Sequence, residues 1–452
     1  MVSSFLRAQF GDFSKEELKK FVRLGVIFAL VIGVYWTLRP LKDSIFTSMV
    51  HTSTDPKLIA YYIPWAKIVS LILLFPVVIL YSKLVERYPR HYMFYALGII
   101  YAIGTLIFGL LFMHPTIGLQ NTTGDVWRIT GWLWYVFVES YGSLMVALFW
   151  AFAADTTTAE SAKRGFGLTV MIGQIGSILG PKFLTPLGKN YFGNSGPTVM
   201  ICGGLILLIV VGIRYFMTVT PADQLVGFHG KNEAKVEGHQ EPGFFEGLKL
   251  MITKPYLLGI FGVVAIYEIL ATIIDFNFKS VALGQFTTEA ERSFYLGDYA
   301  VWVNVVAFVC LLLGVSNIQR YLGTTVSLAI MPFIICGMVG LFLIYNNALV
   351  LFWIMVTAKA INYALNGPVM KQLYVPTTND VKYKSQAWIE TFGSRSSKAS
   401  GSGINIISKQ LGSAFTPVIS VVALALGGLW FFIAVYLGRT HKKAVDNKQV
   451  VC

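Results

Sequence analysis

Charged side chains occur inside segments of this chain that are otherwise apolar. Arg39 and Lys42 lie in Tyr-Trp-Thr-Leu-Arg-Pro-Leu-Lys-Asp (35–43), at the end of a long apolar run. An ionisable group inside a membrane helix costs roughly 2.5–3.5 kcal/mol on insertion scales, so it usually faces a partner, a cavity or a ligand. Several cations placed in this way predict a pathway for an anion.

Carboxylates lie in similar surroundings. Glu139 is part of the apolar and aromatic stretch 132–141, where an unpaired carboxylate would be costly. We interpret it as a cavity carboxylate that pairs with Lys42 or carries a coupling charge; the alternative is a structural ion pair between two helices. Asp275 and Lys279 are four residues apart and share a helix face, either as an internal pair or as two further cavity groups.

A second set of polar residues lies later in the chain. Asn362, Tyr363 and Asn366 share one helix face, and Lys371 lies near the end of that helix. Such a face can hydrogen-bond a base or a ribose while aromatic rings stack on it. It is equally typical of polar helix packing.

Small residues surround two further cations. Arg395 and Lys398 lie in Gly-Ser-Arg-Ser-Ser-Lys-Ala-Ser-Gly-Ser (393–402), where small side chains let a phosphate approach closely but also permit tight helix contact. In another helix the small residues favour packing alone: Gly173, Gly176 and Gly180.

The composition is that of a polytopic membrane protein. Hydrophobic residues make up 55% and charged residues 13%, with a mean hydropathy of +0.64, whereas soluble domains carry about 25% charge. A helix needs about 20 apolar residues to cross a hydrocarbon core of ~30 Å. The sequence therefore predicts an all-α protein of about twelve membrane helices: 21–41, 58–81, 92–113, 131–153, 165–187, 197–218, 255–281, 294–315, 322–345, 348–370, 386–410 and 412–438.

The chain divides near its middle. We predict an N-terminal six-helix bundle (1–218), a cytoplasmic linker (219–254) and a C-terminal six-helix bundle (255–452). Two short internal similarities suggest a duplication: 16–21 with 245–250, and 155–158 with 376–379. Parallel repeats of six helices are the plan of a major-facilitator-like transporter, whose site lies at mid-membrane between the halves.

Basic residues predict the orientation, since lysine and arginine collect in cytoplasmic loops. They concentrate at the N-terminus, in the second, fourth and sixth loops, and in the C-terminal tail: Arg7, Lys15, Lys19, Lys20, Lys83, Arg87, Arg90, Lys163, Arg164, Lys231, Lys235, Lys249, Arg439, Lys442, Lys443 and Lys448. Both termini should therefore be cytoplasmic, and most loop cations should be anchors at anionic lipid. The first twenty residues fit neither a signal peptide nor a transit peptide, so we expect a bacterial inner membrane.

Enzyme motifs do not occur in the sequence. The segment 393–400 lacks the second glycine and the preceding strand of a phosphate-binding P-loop, and there is no His-Glu-x-x-His, no Gly-x-Ser-x-Gly and no Cys/His cluster. We therefore expect a transporter without catalytic residues, metal or cofactor. The rival interpretations are a carrier of another organic anion or peptide, and a membrane enzyme acting on a lipid phosphate.

Motifs along nearly the whole chain resemble those of the nucleotide transporter family, the ATP/ADP translocases of plastids and of intracellular bacteria such as chlamydiae and rickettsiae. In chain order they are Glu-Leu-Lys-Lys-Phe (17–21), Leu-Arg-x-x-Lys-Asp (38–43), Phe-Trp-Ala-Phe-Ala (149–153) with Ala-Lys-Arg (162–164), Tyr-x-Leu-x-x-Pro (363–368), Tyr-Val-Pro (374–376) and Asp-x-Lys-x-Lys-x-x-Ala-x-Ile-Glu (380–390), with Lys398 eight residues further on.

The resemblance implies a twelve-helix carrier that takes up ATP in exchange for ADP, or another nucleoside triphosphate. We also expect a monomer that binds no nucleic acid. Its four functionally central charges map onto Lys42, Glu139, Asp275 and Lys398. Lysines bind polyphosphate as compact point charges, while carboxylates hold those lysines when the site is empty.

Departures from the family pattern leave substrate choice and coupling open. Asp275 replaces the seventh-span Glu, and Lys371 occupies a position that usually carries a Glu. The predicted cavity is more basic as a result. Proton-driven nucleotide import with broader or non-ATP specificity is therefore the alternative to ATP/ADP exchange.

Overall fold

The computed structural model describes most of the chain, namely residues 13–53, 55–221, 225, 244–313, 318–344, 347–378, 385–386, 388–447 and 449–451. Within these ranges the regular elements are helices, and no strand occurs. Most of the predicted linker and several cations of the sequence analysis lie outside the described residues: Arg7, Lys231, Lys235, Lys382, Lys384 and Lys448.

The helices of the first half are α1 Lys15–Val50, α2 Ile63–Arg87, α3 Arg90–Met113, α4 Ile129–Asp155, α5 Ala159–Leu187 and α6 Gly196–Val219. Those that follow are α7 Phe244–Thr253, α8 Pro255–Leu283, α9 Glu289–Leu312, α10 Ile318–Ile344, α11 Ala348–Ile361, α12 Gly367–Gln372, α13 Ser394–Ile406, α14 Ser408–Leu411 and α15 Phe415–Asp446. Short π-helical turns join or extend them at Gly188–Phe192, Asn362–Asn366 and Ile389–Gly393.

Eleven helices among the described residues are long and apolar enough to cross a membrane. Ten of them correspond to the first ten predicted spans. In place of the last two predicted spans there is one candidate run, Ser394–Asp446, which is interrupted where Gly412 adopts a positive φ of 51°. The part before this break consists of α13, which is 13 residues long and rich in serine, and the four residues of α14, so the count of twelve stays a prediction.

Sequence features explain where several helices begin. The Ser14 hydroxyl accepts a hydrogen bond from the Glu17 N–H at 3.1 Å and caps α1, and the Asn347 side chain caps α11 by accepting from the Val350 N–H at 2.9 Å.

Within α1 lies Pro40, which cannot supply the helical hydrogen bond to the carbonyl of Trp36. The charged residues Arg39 and Lys42 flank this position.

The helices group into two compact units. Unit 1 comprises Met1–Thr52, Ile72–Gly238 and Phe286–Asn304, and unit 2 comprises Ser53–Leu71, His239–Gln285 and Val305–Cys452. The start of α2 therefore belongs to unit 2, and the greater part of α9 belongs to unit 1. The predicted domain boundaries at 218 and 255 are boundaries in sequence and stay a prediction.

Within unit 1, helices α1 and α5 approach each other through glycines. A Cβ atom added to Gly176 would lie 2.1 Å from the Ala29 carbonyl oxygen, and one added to Gly180 would lie 2.4 Å from the Gly33 carbonyl oxygen. Both distances are far shorter than a van der Waals contact. The packing role predicted for these glycines is confirmed, and we call this contact the glycine seam.

Some of the loop cations have specific partners. Arg90 Nε, at the start of α3, lies 3.3 Å from Asp155 Oδ2 at the end of α4, and Arg164 Nη2 of α5 lies 3.3 Å from Glu17 Oε1 of α1. These pairs join helix ends within unit 1. They act in addition to any contact of the loop cations with anionic lipid.

Changing Gly180 to valine should disrupt the glycine seam. Overpacking commonly costs about 1–3 kcal/mol, and here the obstacle is a backbone carbonyl that cannot rotate away. We expect Gly180→Val to lower the midpoint of thermal unfolding and the yield of monodisperse protein in detergent. The matched control is Gly204→Ala in α6, where an added Cβ meets nothing within 4 Å; an unfolding midpoint equal in both variants would contradict the seam.

Candidate substrate site

Unit 1 contains the ion pair expected at Lys42. The Lys42 ammonium of α1 donates a hydrogen bond to Glu139 Oε1 of α4, and it lies 3.8 Å from Asp43 Oδ1 and 4.1 Å from the centre of the Tyr135 ring. Only 6% of the Lys42 side chain is exposed, compared with 39% for Glu139. The predicted contact is therefore confirmed, and its more accessible member is the carboxylate.

Arg39 contacts a different aromatic group. Its guanidinium carbon lies 5.1 Å from the centre of the Trp36 ring, within the distance of a favourable cation–π contact. The two cations singled out in the sequence thus have distinct surroundings on α1.

Unit 2 contains a larger charge cluster, which we call the Asp275 cluster. Asp275 Oδ2 lies 2.7 Å from Lys279 Nζ, one helical turn further along α8, and 3.2 Å from Lys67 Nζ of α2. Asp275 Oδ1 lies 3.5 Å from Lys359 Nζ of α11. One carboxylate is therefore shared by three ammonium groups, and all except Lys67 are buried.

Sequence reasoning predicted only half of this cluster. Asp275 and Lys279 were recognisable by their spacing, whereas Lys67 and Lys359 were missed. Both are lysines inside apolar runs, Ile-Pro-Trp-Ala-Lys-Ile-Val and Met-Val-Thr-Ala-Lys-Ala-Ile. The criterion that singled out Arg39 and Lys42 would have found them.

A second carboxylate of α8 lies beside Lys398. Glu268 Oε1 accepts a hydrogen bond from the Ser394 hydroxyl at 2.7 Å and lies 3.4 Å from Lys398 Nζ of α13. Glu268 precedes Asp275 by seven residues, about 10.5 Å along the helix. The motif resemblance assigns the acid of this helix to Asp275, so the sequence does not reveal Glu268.

The remaining predicted residues of unit 2 are distributed more widely. Asn366 Nδ2 donates to Asn362 Oδ1 at 2.8 Å, so these two do share a face, while Tyr363 is exposed. Lys371 forms an exposed pair with Glu390, with both carboxylate oxygens 2.5 Å from its Nζ. Arg395 is partly buried in α13.

A further buried carboxylate anchors the start of α9 within unit 1. Glu289 accepts hydrogen bonds from the Ser44 hydroxyl at 3.1 Å, from the Ser195 N–H at 3.1 Å, from the Ser195 hydroxyl at 2.8 Å and from the Ser293 hydroxyl. These donors belong to α1, to the residue before α6 and to α9 itself. Sequence reasoning missed this group, since no apolar run surrounds Glu289 on its N-terminal side.

Neither unit offers a metal site within the part of the chain that the structure describes, since no three His, Cys, Asp or Glu side chains are grouped suitably. What the two units offer instead is ammonium groups, buried among apolar helices and held by carboxylates. Ammonium groups so held can exchange a carboxylate for a phosphate, which is also an anionic oxygen acceptor.

The fold is that of a major-facilitator-like membrane transporter. The crystal structure of the nucleoside transporter NupG aligns with a TM-score of 0.57 over 92% of this chain and 98% of NupG, at 13% sequence identity. At such a low identity only the two folds can be compared. The candidate membrane helices and this fold together make the chain a multi-pass membrane protein.

A family model then gives the family. The model of the TLC ATP/ADP transporter matches residues 2–349, and the chain belongs to this family. It is 25% identical to the chloroplastic ADP,ATP carrier protein 1 of Arabidopsis thaliana, over 92% of this chain and 73% of the relative. It is 24% identical to the ADP,ATP carrier protein 4 of Rickettsia typhi, over 96% and 94% respectively. The resemblance drawn from the motifs is confirmed, and the chain is a transporter rather than an enzyme.

The energetic link between Lys42 and Glu139 can be measured with a double-mutant cycle. We expect Lys42→Gln and Glu139→Gln each to lower the midpoint of thermal unfolding, because each leaves the other charge without its main partner. Their combination should lower it by less than the sum. A coupling of roughly 1 kcal/mol is expected, since Glu139 is accessible to water; strictly additive shifts would show that the pair contributes no interaction energy.

Proposed function

We propose that this chain is a secondary transporter that exchanges nucleotides across the membrane by alternating access, with ATP and ADP as its substrates. The observation that carries the proposal is the set of buried lysines held by carboxylates in a chain of the ATP/ADP transporter family. A buried ammonium group is a costly feature. It is useful in a protein that must bind a polyanion inside a membrane.

The residues that carry transport in this proposal are Lys42, Glu139, Asp275 and Lys398. Glu268 joins them as the carboxylate beside Lys398. The proposed accessory residues, which would contact the phosphates, the ribose or the base, are Arg39, Lys279, Asn362, Tyr363, Asn366, Lys371 and Arg395.

In the empty carrier the carboxylates hold the lysines in place. When a nucleotide enters, its phosphate oxygens replace a carboxylate oxygen at the ammonium group, and each new contact is a charge-assisted hydrogen bond. Glu139 is suited to this displacement, because its exposed fraction of 39% lets water solvate it once it has released Lys42. Lys42 is then held by phosphate instead of carboxylate.

Exchange also limits the electrical work of transport. Moving a nucleotide of charge near −4 alone against the membrane potential costs about 9 kcal/mol per 100 mV, at about 2.3 kcal/mol for each charge. Exchange of ATP for ADP transfers one net charge and about a quarter of that cost. Exchange therefore requires less electrical work than movement of the nucleotide alone.

For the cell we propose a bacterial inner membrane, a monomeric carrier and both termini in the cytoplasm. The basic ends of α2 and α15 support this orientation, since Arg87 and Lys443 lie in the last turns of these helices. A bacterial relative, that of Rickettsia typhi, covers nearly the whole chain.

Exchange can be tested by expressing the full chain in bacteria and following uptake of labelled ATP. We expect saturable uptake that excess unlabelled ATP or ADP suppresses, and faster uptake in vesicles preloaded with ADP. Absence of nucleotide uptake by a correctly inserted protein would overturn the proposed function. Uptake that preloading does not accelerate and that an uncoupler abolishes would replace exchange by proton-driven import.

The assignment of the two mapped lysines can be tested in the same assay. Lys42→Ala and Lys398→Ala should each reduce ATP uptake about tenfold or more, because hydrogen bonds to charged groups contribute about 1.5–3 kcal/mol and a factor of ten is about 1.4 kcal/mol. Lys442→Ala, an exposed residue near the end of α15, is the matched control. Normal uptake at equal protein levels would remove the tested lysine from the site.

A further inference from the structure

The Asp275 cluster carries more positive than negative charge. Lys67, Lys279 and Lys359 come from three helices of unit 2, and their ammonium nitrogens lie 2.7–3.5 Å from the oxygens of the one carboxylate of Asp275. The formal charge of these four side chains is therefore +2. Like charges that converge in a poorly solvated place repel one another, so an additional anion would stabilise this arrangement.

Unit 1 has the opposite balance of charge around Lys42. There the ammonium group of Lys42 lies beside two carboxylates, those of Asp43 and Glu139. The three side chains together have a formal charge of −1. The surplus of positive charge, which a polyphosphate needs, is in the Asp275 cluster of unit 2.

The internal sequence similarities place the two sites at related positions of the two halves. The cation and the acid have exchanged helices between them. In unit 1 the ion pair joins the first and fourth membrane helices, with the cation on the first. In unit 2 the pair between Asp275 and Lys359 joins α8 and α11, the first and fourth helices of the second set, with the acid on the first. When the similar segments are aligned, Lys359 is adjacent to the residue that corresponds to Glu139. Asp275 lies within about one turn of the residue that corresponds to Lys42.

We propose that the Asp275 cluster is a phosphate-binding subsite for the polyphosphate of the nucleotide, with Lys67 and Lys359 as ligands beside Lys279. This inference rests on the proposed function and adds two residues that the sequence did not reveal. Asp275 is a positioning residue, which holds the three lysines together when no phosphate is bound. An ammonium group has three donor hydrogens, so each lysine can bind Asp275 and a phosphate oxygen at once.

Access to the cluster is through Lys67. Its side chain keeps 21% of its surface exposed, while Asp275, Lys279 and Lys359 are buried. A phosphate that arrives at Lys67 meets the other two ammonium groups around the same carboxylate. The more phosphate groups the ligand carries, the more of these cations it can neutralise.

The test measures nucleotide affinity of the purified full chain, using displacement of labelled ATP by AMP, ADP and ATP. We expect Lys67→Gln and Lys359→Gln to weaken ATP binding about ten- to hundredfold, to weaken ADP binding less, and to change AMP binding little. Lys442→Gln, outside the cluster and exposed, should leave all three affinities unchanged. Equal affinities in wild type and both cluster variants would overturn the proposal.

Asp275→Asn distinguishes a ligand subsite from a purely structural ion network. In a phosphate subsite the variant removes a negative charge that repels the phosphate groups, so ATP should bind several-fold more tightly while uptake slows. In a structural network the variant would lower the midpoint of thermal unfolding and leave the preference for ATP over AMP as it was, which would count against the proposal. Loss of folded protein in both lysine variants would also assign the cluster to structure and overturn the subsite.

Failure of the proposed function gives a different result. A wild-type protein that binds no nucleotide would refute nucleotide exchange. In that case inorganic pyrophosphate is the probe: binding that Lys67→Gln and Lys359→Gln weaken would retain the anion subsite, and no binding would remove it. A wild type that binds ATP, with cluster variants of unchanged affinity, would refute the subsite alone.

Discussion

The placement of positive charge inside an apolar helical protein is the constraint on which the rest of this structure depends. An ammonium group buried among apolar side chains needs a partner, and each of the buried lysines at the candidate site lies beside an acid. Lys42 lies against Glu139, and Lys279 and Lys359 share Asp275. Because the acid and the base come from different helices in most of these contacts, the same interactions also fix which helices are neighbours.

The helices meet this constraint differently in the two units. In unit 1 the Lys42 ammonium lies beside two acids and an aromatic ring, and the glycine seam brings α1 against α5 without intervening side chains. In unit 2 three helices supply cations to one acid, and a separate pair, Glu268 with Lys398, lies two turns away along α8. Long membrane helices permit this arrangement, since one face can carry several polar groups at intervals of whole turns.

Local spacing in the sequence predicts part of the candidate site and of the helix packing. The pair of Asp275 and Lys279 follows from an interval of four residues, and the glycine packing follows from a repeat of small residues along one helix. The partners Lys67, Lys359 and Glu268 depend on helices far apart in sequence, and a hydropathy pattern does not specify which helices pack together. The same limit affects the number of spans: the segment around α13 is polar and short, so composition alone cannot say whether it crosses the membrane as a helix of its own.

Pro40 divides α1 into two parts that make different contacts. The part before it is fixed to α5 by backbone contacts at Ala29 and Gly33, and the part after it carries Lys42 and Ser44. Prolines are the usual positions at which helices bend, because one hydrogen bond of the ladder is missing there. The end of α1 can therefore tilt while its beginning stays in place, and such a tilt would shift the Lys42 ammonium relative to Glu139 without separating the two helices of the seam.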